Sequence, residues 1–166
     1  MMKPEADIGQ ASEADLDGIV RLQAANQADR GGWLSASLPR SRIAEMMREM
    51  PLIVARRGDR IAGFLMTGTR AMAADIPIIG AMFAAYHGAS NAYVYGPICV
   101  AADERGRGLA QAMFSELRRM APAREGILFI RRDNVASRRA HEKMGMREVA
   151  SFLYGGREFV VLSYFG

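Results

Sequence analysis

A chain of 166 residues, half of them hydrophobic and 24% charged, suffices for one packed domain and is too apolar to be disordered. Its single cysteine excludes an internal disulfide and a cysteine-built metal site, and no metal is expected. The net charge of +4 is uneven: residues 105–157 hold twelve Lys/Arg against five Asp/Glu, but those arginines are scattered without interleaved aromatics, which argues against nucleic acid and for a small anionic ligand.

The chain opens Met1-Met2-Lys3-Pro4-Glu5 with no apolar run behind it, so a cytoplasmic location without a signal peptide is expected. No repeat or low-complexity linker interrupts it, which favours a single domain over residues 1–166. Residues 5–11 read as a first strand. Ser12 followed by Asp15 resembles a capping box, with Asp in place of the usual Glu, ahead of Leu16, Ile19, Val20 and Ala24 at helical spacing. Gly31-Gly32 ends that helix, and Pro39 opens a second with Ile43, Met46, Met47 and Met50 on one face; these methionines read as core filler. Residues 52–56 and 61–67 form two strands joined by a turn at Arg57-Gly58-Asp59-Arg60. The Arg-Gly-Asp tripeptide there reads as a hairpin turn, not a recognition signal.

Residues 71–90 are rich in Ala, Met, Ile and Phe but broken by Asp75, Pro77, Gly80 and His87, so they make no membrane span, which needs about 20 apolar residues. A core helix, a lid over a pocket and a subunit contact that would make a homodimer are the three readings. An insertion of this length points towards the lid or the contact. Residues 93–101 form a strand interrupted by Gly96-Pro97, where glycine permits a bulge and proline withholds a ladder donor. Cys99, between Ile98 and Val100, reads as a buried strand thiol. After a loop at 103–108, Leu109, Ala110, Met113, Phe114, Leu117 and Met120 line a helix that stops at Pro122. Residues 126–131 form another strand. Asn134 caps a helix bearing Ala136, Ala140 and Met144, with Gly145 as its stop, and two strands near 147–152 and 158–164 end the chain.

The strongest chemical signal is Arg105-Gly106-Arg107-Gly108-Leu109-Ala110, set between a strand and a helix. Glycines let several backbone amides turn inward, and the helix that follows adds unpaired N–H groups and its positive dipole end. Such a nest holds a pyrophosphate, with charge added by Arg105 and Arg107. A P-loop sequence is lacking, and Gln111 stands where a dinucleotide fingerprint needs a third small residue. Taken alone, the loop is also compatible with a plain glycine turn before a helix.

With these residues in view the sequence resembles the GNAT acetyltransferase superfamily. That family's loop reads Arg/Gln-x-x-Gly-x-Gly/Ala after a bulged fourth strand, and Arg105, Gly108 and Ala110 match it. A second segment places Ala or Ser three residues after an Asn, Tyr or His seven after it, and Gly-Phe soon after. Asn134, Ser137, His141 and Gly145-Met146 match, with Met146 replacing the Phe. The resemblance covers nearly the whole chain. It implies an α/β (α+β) fold: a mixed, mostly antiparallel twisted sheet of about seven strands flanked by about four helices, with a splayed fourth strand.

It also implies acetyl-CoA as acyl donor and direct attack by a primary amine in a ternary complex, where catalysis is mostly positioning. Residues 105–110 would take the diphosphate. The backbone of Ile98, Cys99 and Val100 would take the pantetheine arm and support an oxyanion, and Asn134 and Ser137 would touch the cofactor. His141 holds the position where relatives often carry a Tyr that protonates the departing thiolate. With a reference pKa near 6.5 it can act near neutrality, and Tyr95 or Tyr154 could supply a phenol instead. Many relatives carry a glutamate base on the fourth strand, but residues 92–102 hold no acidic side chain. Water relayed through Tyr93 or Tyr95, or a base at Asp75 or His87, are the substitutes. Trp33 and Tyr93 are candidate acceptor-binding residues. Three functions stay open: acetylation of a small amine or amino acid, acetylation of a protein terminus or lysine, and a non-catalytic acyl-CoA-binding module.

Overall fold

A computed structural model describes residues 5–27 and 37–166. In chain order its elements are β1 (Asp7–Gln10), α1 (Leu16–Ala25), α2 (Arg40–Glu49), β2 (Ile53–Arg57), β3 (Arg60–Thr69), α3 (Pro77–Ala85), β4 (Tyr93–Val100), α4 (Leu109–Met120), β5 (Glu125–Arg131), α5 (Val135–Lys143), β6 (Arg147–Tyr154) and β7 (Arg157–Phe165). The strands form one sheet in the order β1-β2-β3-β4-β5-β7-β6. The pairs β1–β2, β2–β3, β5–β7 and β6–β7 are antiparallel and β4–β5 is parallel, as the resemblance implies. Five α-helices stand among the described residues where about four were expected; the extra one is α3. The chain divides into two compact units, residues up to Thr67 with Gly96–Ala121, and Gly68–Tyr95 with Pro122–Gly166.

In the first unit the Ser12 signal is a real cap. The Ser12 amide donates to Asp15 Oδ2 at 2.8 Å, and the Asp15 amide returns a bond to the Ser12 carbonyl at 2.9 Å. The cap starts a 3-10 turn at Glu13–Asp15 that runs into α1. Asp suits the position because its carboxylate also receives a guanidinium. Arg56 Nη2 donates to Oδ2 at 2.6 Å and Arg56 Nε to Oδ1 at 3.0 Å. That guanidinium holds the Asp15 carboxyl below the usual carboxylate range. A register shift between Ala55 and Arg56 accompanies this reach. Leu16, Ile19 and Leu22 of α1 and Ile43 and Met46 of α2 are buried, so the methionine stripe is core filler as read. Gly18 lets α1 approach β3; a Cβ there would sit 2.6 Å from Ile61 Cγ1. Leu109, Met113, Phe114 and Leu117 bury the inner face of α4, which packs on β1 and β2.

In the second unit β5 and β7 pair over seven residues, and β6 closes the edge. Helix α3 decides between the three readings of residues 71–90. Its Ile78, Ile79 and Met82 join Val94, Ile127, Phe159 and Val161 in one buried cluster, so it is a core helix. Pro77 at its first turn starts it without the loss of a backbone bond. The leaning towards a lid or subunit contact is thereby corrected: the apolar residues that suggested a surface role are buried inside the unit. Gly126 of β5 faces Tyr164 of β7 directly, and the phenol ring covers it.

Two glycines make opposite predictions. A Cβ on Gly126 would overlap the Tyr164 ring, and Tyr164 is only 6% exposed, so Gly126→Ala should destabilise the fold by about 1–3 kcal/mol. Gly80 is an exposed position of α3 with open space where a Cβ would stand, so Gly80→Ala should stabilise it by about 0.8–1 kcal/mol. Urea unfolding of both variants checks the pair.

Candidate active site

The glycine loop belongs to the first unit. Its base is Glu104, in a 3-10 turn at Ala102–Glu104 and fully buried. Arg57 Nε donates to Glu104 Oε2 at 2.8 Å and Arg60 Nη1 lies 3.5 Å from the same oxygen. Arg60 also grips Asp103 through both terminal nitrogens, at 3.0 and 2.6 Å. The hairpin turn that the Arg-Gly-Asp tripeptide opens therefore sets two arginines against the loop.

Above this base the backbone turns left-handed twice, at Gly106 (φ 78°) and Gly108 (φ 77°). A Cβ at either would meet nothing within 4 Å, so glycine serves the backbone angle and leaves the loop's outer face open. Gly108 is the N-cap of α4 and brings no side-chain acceptor. The first intrahelical bond runs from Ala112 N to Gly108 O at 3.0 Å, so the amides of Leu109, Ala110 and Gln111 precede any carbonyl of their own helix. A Ser, Thr or Asp cap would occupy one of these donors; with glycine in its place they suit an external anion such as a diphosphate. Arg107 is half-exposed, 3.9 Å from Glu104 Oε1. Arg105 turns away from the loop: Nη2 donates to Asn26 Oδ1 at 2.9 Å and Nε to Val100 O at 3.4 Å.

The second half of β4 leads into the loop. Its ladder to β5 covers Tyr93↔Gly126 and Val94↔Ile127 and stops before the cis Gly96-Pro97 bond. Ala101 N donates to Ala62 O at 2.8 Å, towards β3. Strand alternation then turns the amides and carbonyls of Ile98 and Val100 the other way, where Val100 O meets Arg105. Cys99 is buried, and burial pushes its thiol up to about 11, which makes it inert packing.

Most of the other predicted residues lie in the second unit, where the structure brings Tyr95, Asn134, Ser137 and His141 together. Asn134 caps α5 by accepting from the Ser137 amide at 3.3 Å. Gly145 ends that helix at φ 95°, with Gly145 N bonded to Glu142 O and Met146 N to His141 O. His141 is 3% exposed and both ring nitrogens are engaged. Nδ1 lies 2.7 Å from the Ser137 carbonyl, which only accepts, so Nδ1 carries the proton. Nε2, 3.1 Å from the Tyr95 hydroxyl, therefore accepts from that hydroxyl. Burial lowers the His141 pKa and raises that of Tyr95, which keeps both neutral. In its resting form His141 is thus a neutral imidazole whose Nε2 accepts from Tyr95 and whose Nδ1 donates to Ser137 O.

Tyr93 is fully buried, and its hydroxyl shares a hydrogen bond with that of Tyr164. Tyr154 lies at the end of β6, 39% exposed. His87 Nδ1 accepts from Arg70 Nη1 at 3.1 Å, and Asp75 sits in the turn before α3. Trp33 lies outside the described residues. Sequence reasoning missed Glu125, which is 1% exposed. It takes the Tyr86 hydroxyl at 2.8 Å, the Ala89 amide at 2.6 Å and the Ser163 hydroxyl. Burial raises its pKa, but those donors outweigh burial and lower it, so Glu125 is a filled anchor for the turn after α3 rather than a base. Among the described residues no three His, Cys, Asp or Glu gather as metal ligands do, and no helix is long and apolar enough to cross a membrane.

The model of the acetyltransferase (GNAT) family matches residues 20–146, and the chain belongs to that family. No curated protein matches it in sequence. Solved structures share its fold at low identity. The ribosomal-protein-alanine N-acetyltransferase of Brucella melitensis is 19% identical at TM-score 0.69, covering 96% of this chain and 99% of its own. The protein yncA of Salmonella typhimurium, solved with its cofactor acetyl-CoA, is 15% identical at TM-score 0.68, with 98% and 94% covered. Arabidopsis thaliana Naa50, solved with the bisubstrate analogue CoA-Ac-MVNAL, is 13% identical at TM-score 0.71, with 98% and 100% covered.

The buried neutral His141 predicts a pH dependence of stability. The unfolded chain takes up this proton as pH falls through about 6.5, while the lowered folded pKa keeps the native imidazole unprotonated. The unfolded state then binds more protons, so stability falls as pH drops below about 6.5, by at most about 1.4 kcal/mol per pH unit, until the folded pKa is reached. Urea titrations between about pH 7.5 and 5.5 should show this slope, flattened in His141→Gln. Carboxylate losses at Asp15 and Glu125 belong below about pH 4.5.

Proposed function

We propose that this protein is an acetyl-CoA-dependent N-acetyltransferase that acetylates the primary amine of a small molecule or amino acid within a ternary complex. The observation that carries the reading is the open double-glycine nest at Gly106 and Gly108, continued by the uncapped start of α4, in a chain of this family. The amides of Gly106 to Ala110 bind the diphosphate of coenzyme A, and Arg107 adds charge. The outward backbone of Ile98 and Val100, around Cys99, hydrogen-bonds the pantetheine arm. Asn134, whose Oδ1 is used by Ser137, offers its Nδ2 to that arm.

The thioester supplies an electrophilic acyl carbon and a thiolate leaving group. The amine nitrogen bonds that carbon as the C–S bond breaks. Tyr95 takes the proton the amine must lose, while its own proton passes to His141 Nε2. Ser137 O stabilises the imidazolium through Nδ1–H. The same path in reverse gives the proton to the thiolate, so one pair serves as base and then as acid.

Free-thiol release from acetyl-CoA, measured against a panel of small amines, amino acids and peptides, tests this. We expect release with at least one small amine or amino acid, a kcat about 100-fold lower in Tyr95→Phe at unchanged KM for acetyl-CoA, and CoA affinity at least about tenfold weaker in Gly108→Val, whose φ of 77° a β-branched residue resists. CoA binding without release from any acceptor would make the protein a binding module, and release with peptides alone would move it to the protein acetyltransferases.

A further inference from the structure

The loop sequence gives Arg105 as a charge for the diphosphate, yet its guanidinium is committed elsewhere. Nη2 donates to Asn26 Oδ1 at 2.9 Å and Nε to Val100 O at 3.4 Å. Asn26 lies at the end of α1, 79 residues away in sequence, and is 7% exposed. Its orientation is settled by chemistry. Nδ2 donates to Leu22 O at 2.9 Å, a carbonyl that only accepts, so Oδ1 must face the guanidinium, which only donates.

Arg105 itself is extended backbone, just after the Glu104 turn and just before the first left-handed glycine. A residue tied there by its side chain fixes where the double-glycine turn begins. The neighbouring Asp103 and Glu104 are held by Arg60 and Arg57 from the β2–β3 turn, so three consecutive residues are pinned by side chains before the backbone becomes permissive.

We propose that Asn26 is a positioning residue for the diphosphate loop: it acts through Arg105 as a latch from the end of α1, and the Arg105 side chain serves as the bolt rather than as a ligand. The inference rests on the acetyl-CoA reading above. Its physical basis is preorganisation. Two glycines close together in sequence are costly to order, and a part-buried hydrogen bond from a charged group to the buried Asn26 side chain helps order them during folding, before any ligand arrives.

Calorimetry with CoA on the full chain tests it, alongside acetyl-CoA kinetics. Asn26→Ala and Arg105→Ala should each weaken CoA binding about tenfold, and the double variant should be no weaker than the worse single, because both break one link. Asn26→Asp keeps an acceptor for Arg105 but loses the donor to Leu22 O, so it should bind CoA more tightly than Asn26→Ala although both lose that donor, and urea unfolding of every variant separates the latch from a general loss of folding. KM for acetyl-CoA should rise in step with Kd while kcat at saturation holds. Should Asn26→Ala bind CoA like the parent while Arg105→Ala does not, the guanidinium grips the anion directly and the latch is wrong. Additive losses overturn it as well. A parent protein that binds no CoA brings down the functional reading itself, a result distinct from either.

Discussion

A carboxylate withdrawn from water must be met by cations, and Glu104 imposes that condition on the first unit. It is completely buried, and the groups that answer it are Arg57 and Arg60, on either side of the hairpin turn. Removing Arg57 would take from a fully buried carboxylate its 2.8 Å partner. The β2–β3 turn and the start of the glycine loop are therefore fixed relative to each other by electrostatics before any ligand binds. The two left-handed glycines follow from this rigid footing. A floppy loop with the same amides would lose part of its binding free energy to ordering them.

The second unit is organised by a different rule, the direction of a proton. A backbone carbonyl cannot donate, so the 2.7 Å contact at Ser137 O decides the tautomer of His141, and the tautomer decides that Tyr95 is the donor. Burial keeps the imidazole neutral and the phenol protonated, so this polarity persists across the neutral range. Tyr164 completes the arrangement. Its ring lies edge-on to Tyr95 at 5.8 Å and to Tyr93 at 6.2 Å, and it covers the bare backbone of Gly126. A polar pair inside an aromatic box is held in orientation by shape as well as by hydrogen bonds.

What could be read from the sequence was what local chemistry dictates. Ser12 with Asp15, Asn134 with Ser137, Gly145 after α5 and the glycines of the loop are each signals spanning a few residues, and each has the predicted form. The apolar stripe of α4 was equally plain. The bonds that run between distant parts of the chain left no such trace. Arg57–Glu104 spans 47 residues, Tyr95–His141 spans 46 and Arg105–Asn26 spans 79. The loop motif gives no sign that Arg105 also reaches Asn26, and the spacing from Asn134 to His141 gives no sign that Tyr95 meets its Nε2. Residues 71–90 misled for a related reason: helix α3 is apolar on most sides, so composition alone could not separate a core helix from a surface that covers something.

The division between local and distant signals also explains why this family is recognisable when so little sequence is shared. A diphosphate nest is made of backbone amides, and amides are the same in every residue but proline. It needs glycine only where φ is positive, a helix beginning behind it and a strand that leaves its ladder in front, conditions a handful of positions can meet. A peptide-like arm such as pantetheine asks no more of a strand than unpaired amides and carbonyls. An acceptor amine, by contrast, is selected by side-chain shape and charge, which vary freely once the backbone machinery is in place. Donor recognition in such a protein therefore rests on backbone geometry, and acceptor recognition is where relatives of one fold diverge. The acceptor must accordingly be found by presenting candidate substrates to the protein, while the donor follows from the family to which the chain belongs.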